Sequence, residues 1–294
     1  MSLRIAYLTG EYPRATDTFI QREVAGLRAL GLEVETCSIR RTGAEHHTGP
    51  EQCAEAARTF HVLEGTLSPR LLRALLGAWR HPLRWFSALR LAWRTSPGGL
   101  RALAYQMIYL AEATVLAQHL RARGVTHIHN HIAKSSGTVA MLASQITGIP
   151  FSFTLHGPDI FYEPHRWRLD EKIARARFVA CISHFSRAQA MVFSDPAHWD
   201  KLHIVHCGVD PARYERPRRE TGAHLVFVGR LAAVKGVPVL FEALRGLIAD
   251  HPDLRLTLVG DGPERAALEA RAGDLRGRVD FLGYRSQAEV AGLL

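Results

Sequence analysis

Leu225-Val226-Phe227-Val228-Gly229-Arg230-Leu231, with Lys235-Gly236 close behind, has the pattern of a buried β-strand ending in a glycine turn. An arginine sits at the C-terminal edge of that strand, and a lysine opens the next helix. Strand, tight turn and helix N-terminus together aim backbone amides and the helix dipole at an anion. Arginine grips two phosphate oxygens at once, and lysine adds a compact point charge. Two such cations at one edge suit a diphosphate and can neutralise it without a metal ion.

Outward from this stretch the same alternation continues. Downstream it predicts helix Val237–Ala249, strand Arg255–Val259, helix Pro263–Ala272, strand Val279–Leu282 and a helix from Ser286. Ser286 and Glu289 make a capping-box pattern. Upstream lies a polar stretch, Pro211 to Gly222, rich in Arg, Pro and Glu, which reads as a linker. Before it come strands Leu3–Thr9, Leu32–Ser38, Thr126–Asn130, Phe151–Leu155, Phe178–Ile182 and Leu202–Val205. Helices between them include Thr18–Leu30, Lys134–Thr147 and His184–Phe193. Strands alternating with helices mean parallel sheets covered on both faces. The expectation is an α/β chain of two Rossmann-like domains facing a cleft: residues 1–210, a linker at 211–222, and residues 223–294. The last helix runs about two turns before Leu294, so the second domain is expected to be incomplete.

A chain of 294 residues suits about two domains. No apolar run reaches the roughly 18–20 residues of a membrane span, and the N-terminus enters a strand directly. Cys37, Cys53, Cys181 and Cys207 lack metal or redox spacing and fit reduced thiols, so a cytoplasmic location is expected. The net charge of +9 fits phosphorylated substrates and an anionic surface. No zinc finger, basic zipper or RNP pattern is present, which argues against nucleic acid as a partner.

Val228-Gly229-Arg230-Leu231 with Lys235-Gly236, Leu258-Val259-Gly260-Asp261-Gly262-Pro263, Phe281-Leu282-Gly283-Tyr284 and His206-Cys207-Gly208-Val209-Asp210 together resemble glycosyltransferase family 4. Glu11-Tyr12-Pro13 with Thr16 to Glu23, and His156-Gly157-Pro158-Asp159-Ile160, resemble its exopolysaccharide and colanic-acid-type branch. The resemblance implies a GT-B fold, a UDP- or GDP-type nucleotide-sugar donor in the C-terminal domain and an acceptor in the N-terminal domain. It also implies retention of anomeric configuration and no metal or other cofactor. Two features depart from the family pattern. The family's Glu-x7-Glu motif has no counterpart between Ser286 and Leu294, and Gly10 stands alone where relatives carry a glycine pair. A truncated enzyme is one reading; a non-catalytic sugar-nucleotide or glycan-binding fragment is another, and a GT-B epimerase a third.

Within this frame Arg230 and Lys235 would hold the donor diphosphate. His156, at a C-terminal strand edge, would contact the donor sugar near the reaction centre. Gly283 and Tyr284 fall in the nucleobase region, though a strand-end aromatic is an equal reading of Tyr284. Gly10 and Asp159 are assigned to the acceptor side, and Ser183 either joins the site or caps the helix from His184. His127, His129 and His131 share one strand face, which invites a metal. With no Cys, Asp or Glu nearby in sequence, polar residues at a strand end are the favoured reading. Between Pro69 and Arg101, arginines 70, 73, 80, 84, 90, 94 and 101 alternate with Trp79, Trp85, Phe86 and Trp93, without an acid. Such helices lie on an anionic membrane, useful for a lipid-linked acceptor, or pack their tryptophans on the domain.

Overall fold

A computed structural model describes residues 3–63, 69–157, 160–214 and 222–294. The backbone divides into two units. One comprises Met1–Tyr12, Phe19–Thr42 and Glu55–Gly208; the other comprises Pro13–Thr18, Gly43–Ala54 and Val209–Leu294.

The first unit is built on seven parallel strands: β1 (Arg4–Glu11), β2 (Glu33–Arg40), β3 (Phe60–His61), β4 (His127–His131), β5 (Phe151–Leu155), β6 (Val179–Cys181) and β7 (Leu202–Ile204), in the order β3-β2-β1-β4-β5-β6-β7. β1 runs two residues past its expected end because Glu11 pairs with Arg40. Helices α1 (Thr18–Ala29), α2 (Pro50–Arg58), α3 (Pro69–Ala78), α4 (Pro82–Arg94), α5 (Leu100–Ala122), α6 (Ser135–Thr147), α7 (Leu169–Arg175) and α8 (His184–Val192) connect and cover the strands. β5 is buried along its whole length, as a central parallel strand must be. Its Phe151 and Phe153, both fully enclosed, each contribute about 2–3 kcal/mol by burial.

In helices α3 to α5 the tryptophans divide between core and surface. Trp85 packs against the core and donates from Nε1 to Thr114 Oγ1 at 3.1 Å. Trp79 and Trp93 are 73% and 65% exposed, and Phe86, Leu72, Leu76 and Leu83 are exposed with them.

The second unit holds three parallel strands, β8 (His224–Val228), β9 (Arg255–Val259) and β10 (Val279–Gly283), in the order β10-β9-β8. Its helices are α9 (Val237–Leu247), α10 (Arg265–Arg271) and α11 (Gln287–Leu293). Leu231, Val237, Phe241, Leu244, Leu256, Leu258 and Leu268 form its core. The expected capping box is present: Ser286 Oγ accepts from Glu289 N, and Glu289 Oε2 accepts from Ser286 N at 2.8 Å. Lys235 does not open α9. It closes a one-turn 3-10 helix, Ala233–Lys235, and left-handed Gly236 starts the helix proper.

Candidate active site

In the first unit the strand order reverses between β1 and β4. Ligands of open α/β sheets bind outside the carboxyl ends of the strands at such a reversal. Gly10 and Glu11 end β1 there, His131 ends β4, and His156 follows β5 directly. A Cβ on Gly10 would meet nothing within 4 Å, so the end of β1 faces open space.

Period-two alternation puts His127, His129 and His131 on one face of β4. Ser152 Oγ lies 2.7 Å from both His127 Nε2 and His129 Nδ1, and Thr154 Oγ1 lies 2.9 Å from His129 Nε2. His131 Nδ1 is 2.8 Å from His156 Nε2, and its ring is fully enclosed. Burial, followed by the neighbouring histidines, holds His129 down at about 3 and His131 well below the ordinary range. Burial alone brings His156 to about 4. All three are therefore neutral at pH 7, able to donate or accept hydrogen bonds but carrying no charge.

Glu23, from α1, completes the cluster. Its Oε1 accepts from Tyr7 at 2.6 Å, and its Oε2 lies 3.6 Å from His131 Nε2. Burial raises the carboxyl, against the Tyr7 hydrogen bond. Sequence proximity could not show this carboxylate, which arrives from another element. Glu23, His129 and His131 bring donor atoms within 4.8 Å of one another, the spacing a cation needs. Both His129 nitrogens are already spent on hydroxyls, however, so the group is assembled as a hydrogen-bond network.

The turn after His131 is strained and pinned. Ile132, a β-branched residue, has φ of 66°, a conformation that costs about 1–3 kcal/mol and persists only when its surroundings enforce it. Lys172, fully buried, donates from Nζ to Ala133 O at 2.7 Å and Lys134 O at 2.8 Å. Ser136 Oγ donates to Ile132 O at 3.1 Å. Burial lowers the Lys172 ammonium to about 7. No local pattern announces Lys172, because it lies far along the chain from the turn it holds.

In the second unit, the C-terminal edge of the sheet carries Gly229-Arg230 after β8, Gly260-Asp261 after β9, and Gly283-Tyr284 at β10. These loops pack backbone to backbone. A Cβ on Gly260, whose φ is 133°, would stand 2.0 Å from Gly229 O, and one on Gly262 would stand 2.3 Å from Leu231 O. Only glycine fits either position. Asp261 ties the loop together, accepting from Gly262 N at 2.7 Å and from Arg265 Nη1 at 2.8 Å. The side chains of Arg230 and Lys235 are both exposed, and neither side chain makes a hydrogen bond or ion pair among the described residues. Tyr284 is half-buried, with its ring centroid 5.2 Å from that of His46.

Arg230, Gly283 and Tyr284 thus share one sheet edge of the second unit, with Lys235 in the 3-10 turn that follows Arg230, while Gly10 and His156 lie at strand ends beside the switch point of the first. Asp159 lies outside the described residues. Ser183 is a cap, with Oγ accepting from Ser186 N at 3.1 Å. Glu23, Tyr7 and Lys172 were not expected at the site.

The family model described as Glycosyltransferase Family 4 matches residues 17–213, more than half of the chain, and the one described as Glycosyl transferases group 1 matches residues 222–294. TuaC of Bacillus subtilis (strain 168), named for teichuronic acid biosynthesis, is 26% identical over 298 residues, covering 94% of this chain and 70% of TuaC. The D-inositol 3-phosphate glycosyltransferase of Pseudarthrobacter chlorophenolicus is 31% identical over 159 residues, covering 46% of this chain and 37% of that enzyme. Among solved structures, Anabaena HepE in complex with UDP and glucose superposes with a TM-score of 0.63 at 17% identity, covering 99% of this chain and 71% of HepE.

Proposed function

This chain belongs to glycosyltransferase family 4, and we propose that it carries the donor-side chemistry of a retaining transferase acting in polysaccharide or glycoconjugate biosynthesis. The donor is a UDP- or GDP-type nucleotide-sugar, and the acceptor is a glycan or a lipid-linked saccharide. The observation that carries the proposal is the edge of the second sheet. Two exposed cations, Arg230 and Lys235, stand beside loops that only glycine can form. As the bond from the anomeric carbon to the diphosphate breaks, negative charge grows on the diphosphate, and fixed donors aimed at it lower the barrier. In this reading the cations serve in place of a metal, Gly283 and Tyr284 face the nucleobase, and His156 meets the sugar. Gly10 and Asp159 are assigned to the acceptor side. A cytoplasmic location is part of the same proposal, and unpaired cysteines fit such a reducing compartment.

Thermal denaturation with UDP and with GDP tests this. At a hundredfold excess over Kd, a nucleotide that binds only the fold adds about 2.7 kcal/mol. One of the two should therefore raise the melting temperature by several degrees. If neither moves it, the donor assignment is wrong.

A lipid-linked acceptor would bring the first unit to a membrane. No described helix is long and apolar enough to cross one. The exposed faces of α3 and α4 have the composition of an interfacial surface: Leu72, Leu76, Trp79, Leu83, Phe86 and Trp93, interspersed with exposed Arg73, Arg80 and Arg90. Co-sedimentation should be strong with vesicles containing phosphatidylglycerol, weak with phosphatidylcholine alone, and reduced by Trp79→Ala with Trp93→Ala. Equal sedimentation with both lipids would remove the membrane from the scheme.

A further inference from the structure

His131 Nε2 is buried and has no hydrogen-bond partner among the described residues, in a ring whose other nitrogen contacts His156. An N–H left this way costs about 1–3 kcal/mol unless something in the surroundings favours it. The nearest charged group is the Glu23 carboxylate, 3.6 Å away. A lone pair on Nε2 would point at that negative charge, whereas a proton there is attracted by it. The proton of His131 therefore sits on Nε2, and its Nδ1 carries the lone pair. The 2.8 Å contact to His156 then has one polarity: His156 Nε2–H donates to His131 Nδ1.

We propose that His131 is a positioning residue that fixes the tautomer of His156, leaving His156 Nδ1 as a bare acceptor for a hydroxyl of the bound sugar. Cys207 Sγ lies 3.9 Å from that same Nδ1, where a thiol can donate weakly to it. Phe19, with ring centroids 4.5 Å from His156, holds the imidazole plane. Tyr7, donating to Glu23 at 2.6 Å, fixes the carboxylate that starts the chain. The low proton affinity of both rings, caused by burial, leaves one proton on each and so keeps the relay defined. The strained, pinned turn at Ile132 sets the end of β4 from which His131 projects. The sugar contact rests on the transferase reading above; the tautomer does not.

Long-range proton–nitrogen correlation spectra of the full chain labelled with 15N-histidine, at pH 7.5, test the tautomer directly, with His156→Gln providing the assignment. The expected result is a protonated Nε2 and a bare Nδ1 on both His131 and His156. In His131→Leu, His156 should sample both tautomers. In His131→Asn, whose amide oxygen takes the place of Nδ1, the original tautomer should return. A wild-type His156 protonated on Nδ1, or an unchanged spectrum in His131→Leu, overturns the proposal. With the nucleotide-sugar identified by the binding screen, His131→Leu should lower kcat about 100-fold, with donor KM within about twofold. A raised KM at unchanged kcat would assign His131 to binding instead. Failure of nucleotides to bind would sink the transferase reading while leaving the tautomer result standing.

Discussion

Replacing Arg230 or Lys235 with alanine is expected to lower the transfer rate about 100-fold or more while leaving the fold intact, because each removes a preorganised donor from the departing diphosphate. Both side chains are exposed and make no side-chain hydrogen bond or ion pair within the described residues, so little native structure depends on them. Surface substitutions of that kind shift stability by about 0.5 kcal/mol or less. The two readouts therefore separate: initial rates at saturating donor should collapse while melting temperatures stay put. Arg230→Lys should recover only part of the rate, since an ammonium cannot reproduce the two-pronged grip of a guanidinium. Wild-type rates in both alanine variants would remove the assigned role, and a rate loss matched by a large fall in melting temperature would make the residues structural.

Acid should unfold the first unit at an unusually mild pH. In an unfolded chain the rings of His129, His131 and His156 take up a proton near pH 6.5. In the fold, burial keeps His129 at about 3, His156 at about 4 and His131 far below its ordinary range. The stability these neutral rings confer is complete above pH 6.5 and is lost as the pH falls toward their folded values. Glu112 works the other way. Burial, against the pull of Arg40, pushes it up to about 7, so its contribution is complete below about pH 4.5 and is lost as the pH rises through 7. The three rings refuse protons that the unfolded chain takes up, and Glu112 offsets only part of this, so stability falls as the pH drops from about 6.5 toward about 4.5. Urea midpoints measured at pH 7.5, 6.0 and 5.0 should fall steeply. Glu112→Gln should steepen the acid limb and raise stability at pH 8. A midpoint constant across that range would show that the histidines are not held neutral by the fold.

Much of the architecture could be read along the chain. Phe151–Leu155 and Arg255–Val259 are strands with the expected bounds, because an apolar run of strand length between turn signals has few alternatives. The capping box at Ser286 and the cap at Ser183 were legible for the same reason, since each is made within four residues. The region from Ala44 to Ala122 was less clear. α5 is long and buries residues on most sides, so it shows no single apolar stripe.

Residue order by itself determined the alternation of strands and helices, the two sheets, and the identity of the cations and glycines at the second sheet's edge. Those features depend on neighbours in sequence, where period and turn chemistry act directly. Only the tertiary structure decided what His131 and His156 touch, that Glu23 and Tyr7 join them, that Lys172 pins the turn at Ile132, and which tryptophans face outward. These groups come from separate strands and helices, and parallel packing brings them to one place. The neutral state of His131 and His156 is a property of that shared enclosure and of no segment alone.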